Sequence, residues 1–418
     1  MYFLVMVAVL CTTVVGWFNP NSWCIIALLA CRLFDGNPIG NIKSAFSNRL
    51  FVAYLLFTLM GVAGYLYTHN LRKEGQIVSK EATLVVISFV LCSGQFADRR
   101  TYRQLITAYT GILLVASLYC LYRALHHYVT SGDASFFFYH PLTEPLSQNA
   151  VFYSVYVLFG IILLLSPYGE PAFDSLSPQA RRVIRIILFF FFVGMMILLS
   201  SRLMLVIMVL ILVNIFFRRY SYRQNKRLLI AAAAVLVLAV GTLSLIANPI
   251  RDRFLEMTDG SLALVRQDRF ISYAHFSSTE IRMLQWRFGL GILNARHGWI
   301  FGVSPGDSQD LLDQKYTAAN MYIGNPADGP DRHFRGFLGF NYHNQYLETL
   351  VRSGLVGLAL LLTILVLLFA RAKRSGIREA WFITVTLAVF FIPEAPLTMQ
   401  HGVFLFCFFP LFALNRPT

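Results

Sequence analysis

Long apolar runs separated by short polar connections occupy most of this chain. An α-helix needs roughly 20 apolar residues to cross a bilayer, and runs near that length recur from the first residues to the last. The pattern predicts an all-α polytopic membrane protein with about 12 transmembrane helices. The predicted spans lie near residues 2–18, 22–34, 50–68, 82–97, 104–124, 149–167, 184–199, 201–217, 228–247, 353–370, 378–393 and 399–414.

The apolar run 183–217 tests this division, because its only charged residues are Arg185 and Arg202, and Arg202 stands in Ser200-Ser201-Arg202. One helix of that length would measure about 52 Å, whereas the hydrocarbon core of a bilayer is about 30 Å thick. We therefore predict two short spans joined by an outer turn at Ser200-Ser201-Arg202. This turn leaves Arg202 recessed in the outer leaflet, either as a functional cation or as a snorkelling arginine.

Basic residues cluster in every second connection, which gives the chain an orientation, since cytoplasmic loops carry the excess of Lys and Arg. Both termini are expected to be cytoplasmic, and residues 1–18 to be a retained first span and not a cleaved signal peptide. The chain is 57% hydrophobic and 13% charged, unlike an ordinary soluble domain. Its net charge of +14 arises mostly in these loops and requires no nucleic acid. The clusters lie within 32–49, 99–103, 181–185, 218–227 and 371–378.

One long polar segment, 248–352, divides the chain into spans 1–247, the segment itself, and spans 353–418. It carries similar numbers of basic and acidic residues and too many large apolar residues for a disordered tail. We predict a mainly helical periplasmic loop, with helices at 279–295 and 308–320. Ser308 or Asp307 is the expected N-cap of the second helix, and turn residues at 324–330 indicate a loop.

Tyr342-His343-Asn344 lies where the polar segment returns to apolar sequence. Ionisable groups at the edge of a bilayer are costly and usually mark a functional site. An imidazole has an ordinary pKa of about 6.5, which suits a general base. His343 is therefore the first catalytic candidate, while Tyr342 and Asn344 are candidates for binding substrate or for orienting the histidine.

Arginines supply the predicted outer face with cations. A guanidinium stays charged and pairs with two phosphate oxygens at once, so Arg202 and Arg282 are predicted to hold an anionic lipid headgroup. Arg287 and Arg266 are weaker candidates, which a solvated helix face would also explain. The outer segments contain no Asp-x-Asp pair and the chain has no metal-binding or phosphate-loop motif. We therefore expect neither a metal ion nor a cofactor.

Several of these residues stand in patterns that resemble the O-antigen ligase and polymerase superfamily. His343-Asn344, followed after nine residues by Gly354-Leu355-Val356-Gly357, is similar to its H-[NSQ]-x9-G-x-x-[GTY] signature. Ser201-Arg202 is similar to its S-R pair, and Arg282 to Trp286 resembles its R-x3-W element. In the glycine-rich element that follows, Gly298-Trp299 replaces the usual His-Pro, and Ser304 replaces the second glycine. Glu394 stands before the last span, as an acid does in the family.

The resemblance implies a membrane glycosyltransferase of the GT-C type in the bacterial inner membrane, with its active site facing the periplasm. Such enzymes transfer a glycan from undecaprenyl diphosphate, and the ligase branch transfers it to lipid A–core. His343 would then deprotonate the acceptor hydroxyl, while Arg202 and Arg282 would stabilise the departing diphosphate. Direct displacement would invert the anomeric centre.

Two alternatives to the ligase remain at this point. The first is a sister enzyme, either the polymerase branch or the branch that glycosylates protein hydroxyls. The second is a flippase or transporter of polyprenyl-linked glycans. A transporter is expected to show internal repeats and charges near the bilayer midplane, and neither is clear in this sequence. The absence of additional cytoplasmic or C-terminal domains favours the ligase.

Overall fold

The computed structural model describes residues 2–94, 98–219, 262–271, 274–324 and 336–417. Within these ranges the chain is helical and contains no β-strand. Four short 3₁₀ turns join the helices, at Gly64–Leu66, Ala134–Phe137, Glu144–Leu146 and Pro396–Thr398. The helices are α1 (Tyr2–Val15), α2 (Phe18–Leu33), α3 (Pro38–Ser47), α4 (Arg49–Ala63), α5 (Leu71–Cys92), α6 (Arg99–Ser131), α7 (Tyr139–Thr143), α8 (Ala150–Leu164), α9 (Pro178–Leu199), α10 (Arg202–Arg219), α11 (Leu262–Val265), α12 (Ser278–Arg296), α13 (Pro305–Ala318), α14 (Gln345–Ser375), α15 (Arg378–Phe390) and α16 (Gln400–Leu414).

Five of the described helices are long and apolar enough to cross a membrane, and a bent pair, α7 with α8 at 81°, would make a sixth. The predicted all-helical membrane architecture is therefore confirmed, whereas the number of twelve spans is not. The predicted span at 228–247 and the loop residues 325–330 lie outside the described residues. The five helices occupy Arg49–Leu66, Leu71–Cys92, Arg99–Ser131, Pro178–Leu199 and Gln345–Ser375, and the shorter apolar ones Tyr2–Val15, Arg202–Phe217 and Gln400–Leu414.

Three helix boundaries bear on the predicted spans. The helix break within 183–217 falls where it was predicted, because α9 ends at Leu199 and Ser200 adopts a left-handed conformation with φ of 50° before α10 begins. In contrast, α5 begins at Leu71, ahead of the span predicted near 82–97, with Asn70 as the N-cap. Similarly, α14 begins at Gln345, ahead of the span predicted near 353–370.

The described residues form two compact units, one from 2, 22–94, 262–271, 274–324 and 336–417, and the other from 3–21 and 98–219. In the second unit, α8 is buried along nearly its whole length against α6, α9 and α10. Polar contacts tie α6 to α8: the Tyr109 hydroxyl donates to the Tyr156 carbonyl (2.8 Å), and the hydroxyls of Ser117 and Tyr153 lie 3.0 Å apart.

In the first unit, α4, α5, α14, α15 and α16 pack together as a bundle. The described part of the polar segment, from residue 262 on, belongs to this unit and has a core of its own, built mainly from α12, α13 and the beginning of α14. The predicted helix at 279–295 is confirmed as α12, which begins with a capping box between Ser277 and Glu280. The core residues include Phe270, Leu284, Phe288, Ile292, Leu293, Val303, Leu312, Tyr316, Tyr342 and Val351.

Helix α13 is fixed to α5 by acidic side chains. The buried Glu74 carboxylate accepts a hydrogen bond from the Gly306 amide (2.6 Å), and Asp307 accepts from the amides of His69 and Asn70. Acidic side chains at the beginning of a helix are stabilised by its dipole. These contacts join the polar segment to the bundle and so fix where its helices stand.

Candidate active site

His343 is held in a left-handed backbone conformation by the asparagines around it. Its φ is 45°, which is uncommon for any residue other than glycine and is often found at functional sites. The Asn341 side chain accepts a hydrogen bond from the His343 amide (2.9 Å), and the Asn344 side chain caps α14 by accepting from the Leu347 amide (2.9 Å). The sequence Asn341-Tyr342-His343-Asn344 therefore sets the direction of the imidazole locally.

The His343 imidazole, Glu394 and Arg282 form a chain of polar contacts. His343 Nδ1 lies 3.4 Å from Glu394 Oε2, and Glu394 Oε1 accepts from Arg282 Nη2 at 3.2 Å. The side chains of His343 and Arg282 are each 28% exposed, whereas that of Glu394 is 13% exposed. The carboxylate is thus shielded, while the two groups it holds stay open to a ligand.

Glu394 reaches this position because its loop is fixed to the first residue of α14. The Gln345 amide donates to the carbonyls of Phe391 (2.8 Å) and Glu394 (3.0 Å). The Gln345 side chain in turn accepts from the Leu397 amide (2.8 Å). Both ends of the loop are therefore anchored beside His343, which explains how an acid far along the chain meets the histidine.

Arg282 keeps part of its hydrogen-bonding capacity for a ligand. Its Nε donates to the Pro393 carbonyl (3.2 Å) and its Nη1 to the Ser278 carbonyl (2.9 Å), in addition to the contact with Glu394. A guanidinium has five N–H groups, and these contacts with described residues use three of them. Two N–H groups remain for an anion, which suits one edge of a phosphate.

The environment of Glu394 keeps it ionised. Burial raises the pKa of its carboxyl group, but the hydrogen bond to His343 and the neighbouring Arg282 guanidinium outweigh burial, so the pKa lies below its ordinary value. An ionised carboxylate at Nδ1 favours the tautomer that carries its proton there. His343 Nε2 is then the nitrogen that can accept a proton.

Tyr342 is positioned as a structural residue beside this chain of contacts. Its side chain is fully buried, its carbonyl accepts from Trp286 Nε1 (3.0 Å), and its hydroxyl donates to the Ser308 carbonyl (3.3 Å). Burial raises the pKa of the Tyr342 hydroxyl. Arg282 and Trp286 are four residues apart and share a face of α12, so the R-x3-W element directs both side chains toward the histidine segment.

The other predicted arginines lie elsewhere. Arg287 is five residues after Arg282, on another face of α12, where it pairs with Asp268 (3.2 Å) and donates to the Gln267 carbonyl (2.6 Å). Arg266 is exposed just after α11. Arg202 is the first residue of α10, in the other compact unit. Within the first unit, the structure thus brings together His343 and Arg282 but places Arg287 and Arg266 outside their contacts.

The glycines of the resemblance allow two backbones to touch. Gly354 interrupts the helical conformation of α14 with φ of 64°, and a Cβ there would lie 2.1 Å from the Ile300 carbonyl oxygen. A Cβ at Gly302 would lie 2.3 Å from the Arg352 carbonyl oxygen. Hydrogen bonds join the two stretches, from the Leu355 amide to the Trp299 carbonyl (2.8 Å) among others. Only glycine permits this approach.

Ser304 explains one departure from the resemblance and corrects one prediction. It adopts φ of 82°, a conformation that favours glycine. It is also the N-cap of α13, accepting from the Asp307 amide (3.1 Å), with Pro305 as the first helical residue. The prediction that Ser308 or Asp307 caps this helix, beginning at 308, was therefore wrong.

Lys80 is a cation near the site to which the sequence assigned no role. Its Nζ donates to the Thr398 carbonyl (3.3 Å), and the Thr398 hydroxyl lies 3.4 Å from Asn341 Nδ2. Asn341 is the residue that orients the His343 amide. The sequence did not indicate a role for Lys80, because it stands among both acidic and basic residues between two predicted spans. In the structure, α5 brings Lys80 next to α16.

No group of three His, Cys, Asp or Glu side chains able to hold a metal ion occurs among the described residues.

Residues 187–362 match the model of a protein family described as O-antigen ligase. No curated protein matches the chain. The match includes Arg202, Arg282, His343 and Gly354 and ends before Glu394. Together with the apolar helices it indicates an integral membrane protein of O-antigen ligase or polymerase type. Over residues 187–362, the chain is similar to the O-antigen ligase family.

Proposed function

We propose that the protein is an O-antigen ligase, which transfers O-antigen glycan from undecaprenyl diphosphate to lipid A–core oligosaccharide. It would act as a multi-pass protein of the inner membrane, with cytoplasmic termini and with segment 248–352 and the active site facing the periplasm. The observation that carries this proposal is that Glu394 joins His343 to Arg282. Both of these residues fall in the segment that matches the O-antigen ligase family.

His343 acts as the general base in this proposal. Its Nε2 accepts the proton of an acceptor sugar hydroxyl while that oxygen attacks C1 of the donor sugar. The bond between C1 and the diphosphate oxygen breaks as the new C1–O bond forms, so the anomeric centre is inverted. Glu394 stabilises the imidazolium that results, as the acid does in a histidine–carboxylate pair.

Arginines stabilise the leaving group. The diphosphate leaves with the electron pair of the broken bond, and preorganised cations lower the energy of that developing charge. Arg282 offers its two remaining N–H groups, and we assign Arg202 the same role. Tyr342 and Asn344 orient the histidine, while Arg287 and Arg266 make weaker contacts with substrate on the solvent side.

The sequence offers no paired acids for a divalent cation, so we expect transfer to proceed without metal. Purified protein given lipid-linked donor and lipid A–core should stay active in excess EDTA. Activity that disappears on chelation and returns with added Mg²⁺ would contradict this part of the proposal.

A deletion strain tests the ligase function itself. We expect full-length polymer to accumulate on undecaprenyl diphosphate while lipid A–core stays bare. Core capped by a single repeat unit would indicate a polymerase, and lipid-linked glycan trapped on the cytoplasmic side would indicate a transporter. Gel analysis of lipopolysaccharide together with extracted lipid-linked glycan distinguishes these outcomes, and the wild-type gene on a plasmid is the control.

A further inference from the structure

A second polar cavity lies at the end of α14 opposite to His343. It has a volume of about 620 Å³. Helix α14 has 31 residues with a break at Gly354. The part after the break, 355–375, is roughly 31 Å long at 1.5 Å per residue, about the thickness of the hydrocarbon core, so the cavity and His343 lie at opposite faces of a membrane. The cavity is lined from the α3–α4 junction and from the ends of α5, α14 and α16 by Ser44, Ser47, Asn48, Arg49, Leu50, Leu91, Cys92, Gly94, Leu367, Ala370, Arg371, Arg374 and Asn415.

Three arginines line this cavity without a described acid beside them. None of the described carboxylates lies within ion-pair distance of Arg49, Arg371 or Arg374. In contrast, Arg32 in the same unit pairs with Asp35 at 2.9 Å. Three like charges gathered around one cavity repel each other, so an anion that bound there would relieve the repulsion.

The backbone adds to this positive field. Asn48 is the N-cap of α4 and accepts from the Leu50 amide (3.1 Å). Arg371 Nη1 lies 3.5 Å from the same Asn48 oxygen. The guanidinium therefore stands at the positive end of the α4 dipole, where a negative group would be stabilised.

Helix α3 places the cavity at the level of lipid headgroups. Its residues Ile39, Ile42 and Phe46 recur at helical spacing and are exposed, whereas Ser44 and Ser47 line the cavity. A short helix with one exposed apolar face is typical of a helix lying in the membrane interface. A ligand at this depth meets polar side chains above and the apolar Leu50, Leu91 and Leu367 below.

We propose that this cavity binds the phosphate of an anionic phospholipid, with Arg371 and Arg374 pairing with its oxygens. Guanidinium groups pair with two phosphate oxygens at once, and basic pockets between membrane helices are known sites for anionic headgroups. Arg371 and Arg374 are three residues apart on α14 and share a face. The site is separate from the one that contains His343 and does not depend on the proposed glycan transfer.

Native mass spectrometry of the full-length protein tests this site. The protein in detergent is titrated with phosphatidylglycerol or with phosphatidylcholine of the same acyl chains, and R371Q/R374Q is compared with wild type. We expect wild type to prefer phosphatidylglycerol, and the double variant to lose roughly 30-fold in affinity for it. The matched control is K373Q/R378Q, which removes two exposed charges nearby that do not line the cavity, and it should behave as wild type.

Other outcomes overturn the proposal. These are equal binding of the two lipids by wild type, unchanged phosphatidylglycerol binding by R371Q/R374Q, or an equal loss in K373Q/R378Q. A third titration uses inorganic phosphate: if millimolar phosphate displaced the lipid completely, the cavity would be a site for free phosphate. If the double variant does not fold, the single variant R374Q, at an exposed position, is compared with wild type instead. A smaller loss of affinity for phosphatidylglycerol is then expected.

Discussion

Two carboxylates flank His343, and they hold their cations in different surroundings. Glu348 Oε1 lies 2.7 Å from Arg352 Nε, with side chains that are only 2% and 10% exposed. Glu394 holds Arg282 and the imidazole, which are each 28% exposed. The residue types are alike, yet one pair is closed within the protein and the other is open to a ligand.

The difference separates folding from chemistry. Breaking a buried ion pair leaves an uncompensated charge and is strongly destabilising, and Glu348 also accepts from the Tyr342 amide (3.3 Å). A pair that water can reach loses much less stability when it is broken. We therefore expect changes at Glu348 and Arg352 to affect folding, and changes at Glu394 and Arg282 to affect turnover.

The largest effect, a loss of stability, is expected for Gly354→Ala, which lies beside the buried pair of Glu348 and Arg352. The new Cβ would lie 2.1 Å from the Ile300 carbonyl oxygen, so the backbones joined next to Arg352 would have to separate. We expect the purified variant to unfold at far lower temperature, or not to accumulate in the membrane. Gly376→Ala is the matched control, because Gly376 also has a positive φ of 65° but no atom within 4 Å of the new Cβ. The control should lose only about 1–2 kcal/mol, and equal losses in the two variants would contradict the account of the close approach.

Arg352→Ala should be the next largest effect. It leaves the Glu348 carboxylate buried without its cation, which costs about 3–5 kcal/mol. Thermal unfolding in detergent measures the loss, and activity should fall only in proportion to the folded fraction. A variant as stable as wild type but inactive would place Arg352 in the chemistry and remove the distinction between the two carboxylates.

Glu394→Gln should lower turnover much more than stability, the reverse of what we expect for Arg352→Ala. The amide keeps the shape of the side chain but no longer fixes the imidazole tautomer or stabilises its charge, so we expect turnover to fall about 100-fold. The lowered pKa of Glu394 means that its charge stabilises the fold fully above the ordinary pKa of about 4.5. This contribution disappears only as the pH falls through the lower folded value. At pH 7 this contribution is fully present, so Glu394→Gln should lower the unfolding temperature, but much less than Arg352→Ala does, because the partners of Glu394 are 28% exposed. A loss of folding as large as that of Arg352→Ala would contradict the view that Glu394 serves turnover and not folding.

The smallest effect is expected at Arg287→Gln. Arg287 pairs with the exposed Asp268, and exposed ion pairs contribute about 0–1 kcal/mol. We expect stability within that range and turnover reduced less than tenfold. Arg282→Lys in parallel should lose more than tenfold, since an ammonium cannot reproduce the guanidinium fork. If Arg287→Gln and Arg282→Lys lowered turnover equally, the face of α12 on which an arginine lies would not matter for transfer.

The sequence anticipated the open side better than the closed side. Hydropathy located most described helices, and the resemblance selected Arg282, His343 and Glu394, because those residues stand at recognisable motif positions. It did not indicate that Glu394 joins the other two, since that contact depends on Gln345 anchoring the loop. The boundaries of α5, α13 and α14 were missed for a related reason. They depend on contacts between residues far apart in the chain, such as the hydrogen bond from Gly306 to Glu74, and on the positive φ of Ser304.

The most direct test of the central claim is the transfer rate of purified His343→Ala with lipid-linked donor and lipid A–core. Removal of a general base should lower turnover about 10²–10⁴-fold, while the unfolding temperature and the binding of donor stay close to those of wild type. His275→Ala, which removes an exposed histidine of the same polar segment, should leave the rate unchanged. If His343→Ala is folded and transfers glycan at the wild-type rate, then His343 is not the base and the open side of the comparison has no catalytic role.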